Sequence, residues 1–277
     1  MSELPSQQEL LAWLDAAADV AQSAGTMLRD VQGTIDATAI ESKSSPVDLV
    51  SSADGDAERL IRAGLAAILP SAGFIGEESP LPDMDAHGLY WCVDPLDGTS
   101  NFLCGLPLWA VSIALVTPNL QPQLGVVHAP LLNKLWTAAH GCGTQANGGA
   151  VKVRQHPPGG GLHNAMLATG FPYDVTQSSE NNNVDYYSIM QRRFQKIRRL
   201  GSAAIDLAYV AEGSFDGMWE LKLKPWDSAA GLLLVKEAGG LATTLNLTLY
   251  TPGDISMVCA GTHELLDLIL ELIGTQV

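Results

Sequence analysis

The stretch WCVDPLDGTSNF, residues 91 to 102, combines an apolar run, two aspartates and a Gly-Thr-Ser sequence. The apolar run predicts a buried strand that carries Asp94 at its carboxyl end, and the Pro and Asp-Gly that follow predict a turn through Asp97. The two carboxylates can then converge, and the Leu96 carbonyl oxygen can face the same space. Three oxygen ligands in four residues suit a hard divalent cation. Asp-Pro and Asp-Gly are also ordinary turn sequences, so this stretch alone leaves a purely structural role open.

The residues that follow Asp97 have the small side chains of a helix start that admits an anion. Gly98, Thr99 and Ser100 open a predicted helix, where unpaired backbone N–H groups and the positive end of the helix dipole favour a phosphate group. Many helices begin in this way and bind nothing. The pattern therefore supports a phosphate site only together with other features.

Three more acidic residues stand at the ends of predicted elements. Glu77 follows the apolar segment GFI, Asp227 opens a helix in KPWDSAAG, and Asp54 falls in the first turn of a predicted helix. Each could also be an ordinary N-cap or loop acid. A group of buried carboxylates is unstable unless cations neutralise it. Because no cysteine or histidine stands at metal-binding spacing, the oxygen donors favour Mg²⁺ or Mn²⁺, and two such ions about 4 Å apart can hold both oxygens of a phosphoryl transfer.

The amino-terminal half contains the elements that must position these residues. Ser6-Gln-Gln-Glu9 has the form of a capping box and predicts a long opening helix. The polar stretch from 34 to 54 predicts a loop or an edge strand, and a second helix is predicted from about 52 to 69. Between 109 and 153, apolar runs separated by turn sequences predict a meander of β-strands.

A Pro- and Gly-rich stretch from 156 to 164 predicts the boundary between two lobes. Residues 1–155 would form an amino-terminal α+β lobe with most of the acidic candidates. Residues 156–277 alternate between strand and helix patterns and would form a carboxyl-terminal α/β lobe that contributes Asp227. Gly239 is well placed to end a helix of that lobe.

Composition limits the classes of function. The chain has 277 residues, 47% of them hydrophobic, so it can bury a large core. Acidic residues outnumber basic ones 30 to 15, and the net charge of −15 argues against non-specific binding to nucleic acid or to anionic lipid. The four scattered cysteines predict neither a disulfide framework nor a zinc site. The first thirty residues lack a continuous apolar segment, which predicts a cytoplasmic protein without a membrane span.

Five segments in order, KSSPVDLVSSAD, GEES, WCVDPLDGTSNF, GSAAIDLAYVAEGSFDGMWE and KPWDSAAGLLLVKEAGG, resemble the signatures of the inositol monophosphatase family, particularly its bacterial members. The resemblance implies α/β and α+β lobes in the layered αβαβα sandwich of sugar and inositol phosphatases, commonly as a homodimer. It implies Mg²⁺-dependent, lithium-sensitive hydrolysis of a small phosphorylated polyol or sugar. Myo-inositol monophosphate is the first choice, and fructose bisphosphate or a broader set of sugar phosphates is the alternative. A regulatory binding protein that keeps the fold is the alternative from another class.

The resemblance also implies a set of metal ligands. Glu77, Asp94 and the Leu96 carbonyl oxygen would hold a first Mg²⁺. Asp94, Asp97 and Asp227 would hold a second. A third, weaker ion is expected near Glu77, and Mn²⁺ is expected to substitute for Mg²⁺.

Further residues are assigned to the attacking water and the phosphate in the same way. Thr99, hydrogen-bonded to Asp54, would orient the water that the ion beside Glu77 activates. The backbone N–H groups of Gly98 and Thr99 would hold phosphate oxygens. Lys43 matches a lysine in a loop that approaches the site.

The remaining assignments concern the alcohol part of the substrate. Glu220 would contact a sugar or inositol hydroxyl, with Ala203 and Asp97 in the same pocket. Many relatives have glycine where this chain has Lys222, so the rim around the substrate is expected to be bulkier and more positive than usual.

Overall fold

The computed structural model describes residues 5–34, 46–84, 88–157, 159–172 and 183–274, and in the second of these ranges it describes side chains from residue 52 onward. The expected contact of Lys43 lies outside the described residues. In the described parts of the chain, no helix is both long enough and apolar enough to cross a membrane.

Two long helices form the first layer. Helix α1 (Gln7–Gln32) begins with the predicted capping box, in which the Glu9 N–H donates to the Ser6 hydroxyl and the Ser6 N–H donates to the Glu9 carboxylate. Helix α2 (Pro46–Ile68) begins six residues before the predicted start. The prediction of a loop or edge strand is therefore wrong for residues 46–54. Proline lacks an N–H and has a fixed φ, so it fits the first turn of a helix. The sequence prediction instead grouped Pro46 and the residues after it with the polar run that precedes it.

The second layer is a seven-stranded sheet in which the strands follow one another in chain order. Strand β1 is parallel to β2 and every other neighbouring pair is antiparallel, so the predicted meander between 109 and 153 is confirmed. Its strands are β1 (Gly73–Gly76), β2 (Tyr90–Asp97), β3 (Ala110–Val116), β4 (Pro122–Ala129), β5 (Lys134–Ala139), β6 (Gly143–Ala146) and β7 (Gly149–Val151).

Strand β2 continues further than the sequence predicts. Asp94 pairs with Ser112 and Asp97 pairs with Ala110, so β2 has one more residue than β3 between these two pairs. The predicted turn after Asp94 is thus a β-bulge inside the strand. The bulge changes the direction of the strand where the two carboxylates occur, and the short helix α3 (Thr99–Leu103) follows at once.

The remaining layers come from the carboxyl-terminal part of the chain. A second sheet has the order β11-β12-β10-β8-β9, with β8 parallel to both β9 and β10 and with β12 antiparallel to both β10 and β11. Its strands are β8 (Met166–Thr169), β9 (Lys196–Arg198), β10 (Gly217–Leu221), β11 (Leu241–Thr243) and β12 (Ser256–Ala260), and the helices are α4 (Val184–Arg193), α5 (Ala203–Ala211), α6 (Pro225–Glu237) and α7 (His263–Gly274).

The elements stack as five layers: α1 and α2, the first sheet, α5 and α6, the second sheet, and α4 with α7. The predicted αβαβα sandwich is confirmed, and Gly239 follows α6 with φ +89° as expected of a helix-ending glycine. The middle layer packs tightly against the first sheet, since a Cβ on Gly125 of β4 would lie 2.8 Å from the Ala230 carbonyl oxygen of α6. The hydrophobic core around α5 and α6 contains residues from both halves of the chain. The predicted division into lobes at residue 155 stays a prediction.

Candidate active site

A cavity of about 660 Å³ opens where α3, α5, α6 and the ends of β1, β2 and β10 meet. Nine of the ten described residues that the sequence assigns to the site line this cavity. They are Glu77, Asp94, Leu96, Asp97, Gly98, Thr99, Ala203, Glu220 and Asp227. Asp54, the tenth, is buried in α2, and burial with the charges of Glu77 and Glu78 raises the pKa of Asp54 to about 8.

Strands β1 and β2 place Glu77 beside Asp94. The Glu77 N–H continues the parallel ladder by donating to the Val93 carbonyl oxygen at 3.3 Å. This ladder brings the Glu77 side chain to the cavity beside Asp94. The Asp94 carboxylate accepts the Leu96 N–H at 2.9 Å, and this bond fixes the bulge.

Asp97 is held by the start of α5. Its Oδ2 accepts the Ser202 hydroxyl at 2.6 Å and the Ala204 N–H at 2.7 Å. Ser202 is also the N-cap of α5, since its Oγ accepts the Ile205 N–H at 3.3 Å. Sequence reasoning missed this contact, although a serine before an apolar helical run is an N-cap signal.

Asp227 is the third residue of α6 and its carboxylate accepts the Lys224 N–H at 2.8 Å. The prediction that Asp227 opens a helix is confirmed. The same turn is fixed to the first sheet, because the Ser112 hydroxyl donates to the Trp226 carbonyl oxygen at 3.2 Å. The Asp227 side chain therefore accepts a hydrogen bond at the start of α6 and also faces the cavity.

Gly98 and Thr99 form the turn between β2 and α3. Gly98 has φ +99°, and a Cβ there would lie 2.8 Å from the Leu108 carbonyl oxygen, so only glycine fits. The Thr99 hydroxyl donates to the Leu96 carbonyl oxygen at 3.1 Å. The expected hydrogen bond to Asp54 is not formed, because a hydroxyl has one proton and the Leu96 carbonyl oxygen receives it. The Asp54 Oδ1 atom is buried without a hydrogen-bond partner.

Glu220 lies at the other end of the cavity, on β10. Its carboxylate packs directly on the Gly170 backbone, since a Cβ at Gly170 would be 1.8 Å from the Glu220 Oε1 atom. Asp206 on α5 lines the same cavity, is fully buried, and has an Oδ1 atom without a partner. Sequence reasoning missed Asp206, and the only signal for it is one acid in the apolar run SAAIDLAYVA.

The acidic residues of the cavity destabilise one another's charged forms. Burial, followed by the charges of neighbouring carboxylates, raises the pKa of Asp94 well above its usual range. Burial with the charge of Asp97 raises the pKa of Asp227 to about 7, and burial with the charges of Asp227 and Asp97 raises the pKa of Glu220 to about 8. Burial raises the pKa of Asp97 only to about 6, because the Ser202 and Ala204 donors favour its charged form.

These carboxylates fit hard divalent cations. Every candidate ligand is an oxygen atom, the groups come from β1, β2 and α6, and their mutual repulsion falls when positive charge lies between them. Across the described parts of the chain, no three acidic, histidine or cysteine side chains already form a compact metal cluster. The carboxylates line an open cavity instead.

Three basic residues also line the cavity: Arg199, Lys222 and Lys224. The Arg199 guanidinium lies 5.0 Å from the centre of the Phe171 ring, and its charge opposes the rise in the pKa of Glu220. Lys222 has φ +61°, a left-handed conformation that glycine adopts without strain. The expectation that Lys222 stands where a glycine would fit is consistent with this backbone.

Comparison with known proteins finds one family over nearly the whole chain. The model of the inositol monophosphatase family matches residues 9–277. A relative from Aquifex aeolicus, named fructose-1,6-bisphosphatase/inositol-1-monophosphatase, is 36% identical over 272 residues, which are 96% of each chain. A relative from Escherichia coli K12, named Nus factor SuhB, is 39% identical over 83% of this chain and 84% of its own. The solved structure of inositol monophosphatase from Anabaena is 30% identical, with a TM-score of 0.83 over 98% of each chain.

Proposed function

This chain belongs to the inositol monophosphatase family, a family of metal-dependent phosphatases, and from that premise we propose that it hydrolyses myo-inositol monophosphate to myo-inositol and phosphate with Mg²⁺. The observation that carries this proposal is the cavity in which the acidic candidates from both halves of the chain meet Gly98, Thr99 and Glu220. A phosphate group and a polyol can occupy this cavity together.

We assign the residues of this cavity to two Mg²⁺ ions. Glu77, Asp94 and the Leu96 carbonyl oxygen would hold the first, and Asp94, Asp97 and Asp227 the second, with a third, weaker ion near Glu77. When bound, the ions supply positive charge that binds the phosphate and lowers the pKa of an attacking water. Mn²⁺ is expected to replace Mg²⁺, since both prefer oxygen ligands.

The chain's own groups then orient the reactants. The turn at Gly98 and Thr99 would hold phosphate oxygens through its backbone N–H groups. Thr99 would orient the attacking water, after its hydroxyl turns from the Leu96 carbonyl oxygen to the unpartnered buried Oδ1 of Asp54, and Asp54 would take the proton that the water loses. As the water oxygen bonds to phosphorus, the P–O bond to the polyol would break, and the leaving alkoxide would take a proton from a second water. Glu220, held against Gly170, would accept a hydrogen bond from a hydroxyl of the polyol.

An Asp94→Asn variant tests the proposed reaction. We expect Mg²⁺-dependent release of phosphate from myo-inositol monophosphate to fall about 100-fold or more, because a metal ion stabilises the transition state by several kcal/mol. Removal of metal ions from the wild type with a chelator should abolish the activity, and added Mg²⁺ should restore it. Millimolar Li⁺ should inhibit the wild-type enzyme. Unchanged release by the variant would contradict the proposal.

Fructose bisphosphate is the second candidate substrate. The three basic residues of the cavity, Arg199, Lys222 and Lys224, favour it because they can pair with a second phosphate group. Comparing kcat/KM for myo-inositol monophosphate, fructose bisphosphate and other sugar phosphates decides the order. If fructose bisphosphate ranks well above myo-inositol monophosphate, our first choice is wrong.

A regulatory partner and a homodimer are separate proposals. The similarity to a protein named Nus factor favours a test for a protein partner, and the Asp94→Asn variant should keep such a partner while it loses hydrolysis. Leu247, Leu249 and Ile255 are exposed apolar side chains that suit a contact between subunits. Sedimentation equilibrium should give the mass of two chains, and the mass of one chain would contradict the dimer.

A further inference from the structure

We propose that Glu58, together with Arg62, positions the metal ligand Glu77 from outside the cavity, and that the affinity for divalent cations depends on this support. The inference rests on the proposed function, because it takes Glu77 as a ligand. Neither Glu58 nor Arg62 lines the cavity, so both would act through the turn that carries Glu77.

The carboxylate of Glu58 accepts two donors from the turn that follows β1. It is 5% exposed on α2, its Oε2 accepts the Glu78 N–H at 3.0 Å, and its Oε1 accepts the Ser79 hydroxyl. The Glu77 N–H donates to the Val93 carbonyl oxygen at 3.3 Å on the other side. The peptide groups before and after Glu77 are therefore fixed by different elements, β2 and α2.

Gly76 allows this contact. A Cβ at Gly76 would lie 2.2 Å from the Glu58 Oε2 atom, so any side chain there would push the carboxylate away from the Glu78 N–H. Gly76 belongs to the β1–β2 ladder and pairs with Val93, so it is required for close approach rather than for a turn.

Arg62 completes the support one helical turn after Glu58. Its Nη2 atom donates to the Ser79 hydroxyl at 2.7 Å and lies 3.7 Å from the Glu58 Oε1 atom. Its guanidinium is 3.8 Å from the centre of the Phe74 ring on β1. The charge of the buried Glu58 is thus paired with the Arg62 guanidinium, which lies outside the cavity. The Glu58 carboxylate can therefore stay buried while it accepts the donors of the turn.

Glu77 needs such support more than the other ligands do. Asp94 is buried and fixed by Leu96, whereas Glu77 is exposed and has a longer side chain with more rotamers. When a residue that orients a metal ligand without contacting the metal is removed, metal affinity typically falls by about 10-fold to 100-fold. Glu58 would act in this way through the backbone of the turn, because it accepts the Glu78 N–H and the Ser79 hydroxyl on the two residues that follow Glu77.

The test compares Glu58→Ala and Glu58→Gln with wild type. Mn²⁺ binding is measured by titration calorimetry and the Mg²⁺ requirement of phosphate release by its half-saturation concentration. We expect Glu58→Ala to raise both values at least about 10-fold. We expect Glu58→Gln, which keeps an oxygen acceptor for the Glu78 N–H, to stay within about threefold of wild type. If the two variants lose affinity equally, the charge of Glu58 matters and its geometry does not, which overturns the proposal.

Glu237→Ala is the matched control. Glu237 also accepts two backbone N–H groups of a turn, from Gly141 at 2.8 Å and from Gly143 at 2.9 Å, but it lies at the far end of α6 and does not line the cavity. Its loss should lower the thermal midpoint without changing Mn²⁺ affinity. If Glu58→Ala binds Mn²⁺ as tightly as wild type, the inference is wrong and the proposed function is unaffected. A wild type without Mn²⁺ binding would instead overturn the proposed function and the inference together.

Discussion

Ser202 connects the stability of a helix with the geometry of a metal ligand. Its hydroxyl donates to Asp97 at 2.6 Å while its oxygen accepts the Ile205 N–H at the start of α5. Ser202→Ala removes both interactions. We expect the free energy of unfolding in urea to fall by about 1 kcal/mol, the usual cost of a lost N-cap, and the half-saturation concentration of Mg²⁺ to rise severalfold.

The comparison with Ser202→Thr tests whether the hydroxyl of this side chain accounts for both effects. Threonine keeps a hydroxyl that can cap the helix and donate to Asp97, so it should restore both the stability and the Mg²⁺ requirement. If Ser202→Ala loses stability but keeps the wild-type Mg²⁺ requirement, the bond to Asp97 has no part in binding the ion.

Gly170 gives a separate test of the contact to the polyol. Gly170→Ala would place a Cβ against the Glu220 carboxylate, which must then move from the cavity. We expect kcat/KM for myo-inositol monophosphate to fall about 10-fold, as for the loss of one hydrogen bond to a charged group. The rate with p-nitrophenyl phosphate, which has no neighbouring hydroxyls, should change little.

Gly149→Ala is a suitable control, because a Cβ there would meet nothing closer than 3.5 Å and Gly149 does not line the cavity. Equal losses with both substrates in Gly170→Ala would show that the cavity as a whole had changed, and the assigned role of Glu220 would then be wrong.

At the level of elements, the sequence predicts those whose signals are local. The capping box of α1, the strand that leads to Asp94 and the glycine that ends α6 each depend on residues within a few positions. The start of α2 at Pro46 and the bulge in β2 at Pro95 were missed. A proline can end a regular element, but it can also stand in the first turn of a helix or in a bulge. The choice between these depends on packing with other elements.

Contacts between distant elements have no local signal. Asn183 lies at the start of α4, yet its amide donates to the Thr169 hydroxyl at 2.8 Å and accepts the Trp219 N–H at 2.6 Å. These bonds join β8 to β10, the strand that carries Glu220. An asparagine in a polar stretch gives no indication of such a buried role, so part of the substrate side of the cavity could not be predicted.

A second such link, between β5 and α5, provides a test by pH. Glu212 caps the end of α5 and accepts the Lys134 ammonium at 2.8 Å and the Trp136 indole N–H at 2.9 Å. Burial alone would raise the pKa of Glu212, but the hydrogen bonds from Lys134, Ser214 and Trp136 outweigh it and lower the pKa below its usual range. Stabilisation by Glu212 is therefore complete above the pKa of the unfolded chain and is lost as the pH falls through the folded-state pKa.

Glu212→Gln should be less stable than wild type by about 1 kcal/mol at pH 7, and the difference should shrink below about pH 4. Urea unfolding at pH 7, 5 and 3.5 measures this, with Asp15→Asn on the exposed face of α1 as the control. A difference that stays constant with pH would mean that the ionised carboxylate contributes nothing to the link.

For the whole molecule, the acidic cavity opposes folding until cations bind. Burial, followed by the charges of Asp97 and Glu77, raises the pKa of Asp227 to about 7. Asp227→Asn removes one of these charges while its amide oxygen can still accept the Lys224 N–H. We expect the metal-free variant to be more stable than wild type by roughly 1 to 2 kcal/mol at pH 8. This is about the free energy that corresponds to a shift of one pKa unit.

The same variant should lose the stabilisation that Mg²⁺ gives. Wild type should gain about 2.7 kcal/mol at a Mg²⁺ concentration 100 times Kd, because the ion binds only the folded chain, and its thermal midpoint should rise by several degrees. Differential scanning calorimetry with EDTA and with Mg²⁺ measures both effects, and Asp267→Asn on the exposed face of α7 should leave both unchanged. If metal-free Asp227→Asn is less stable than wild type, repulsion among the carboxylates does not oppose folding, and the charge argument for the cation site fails.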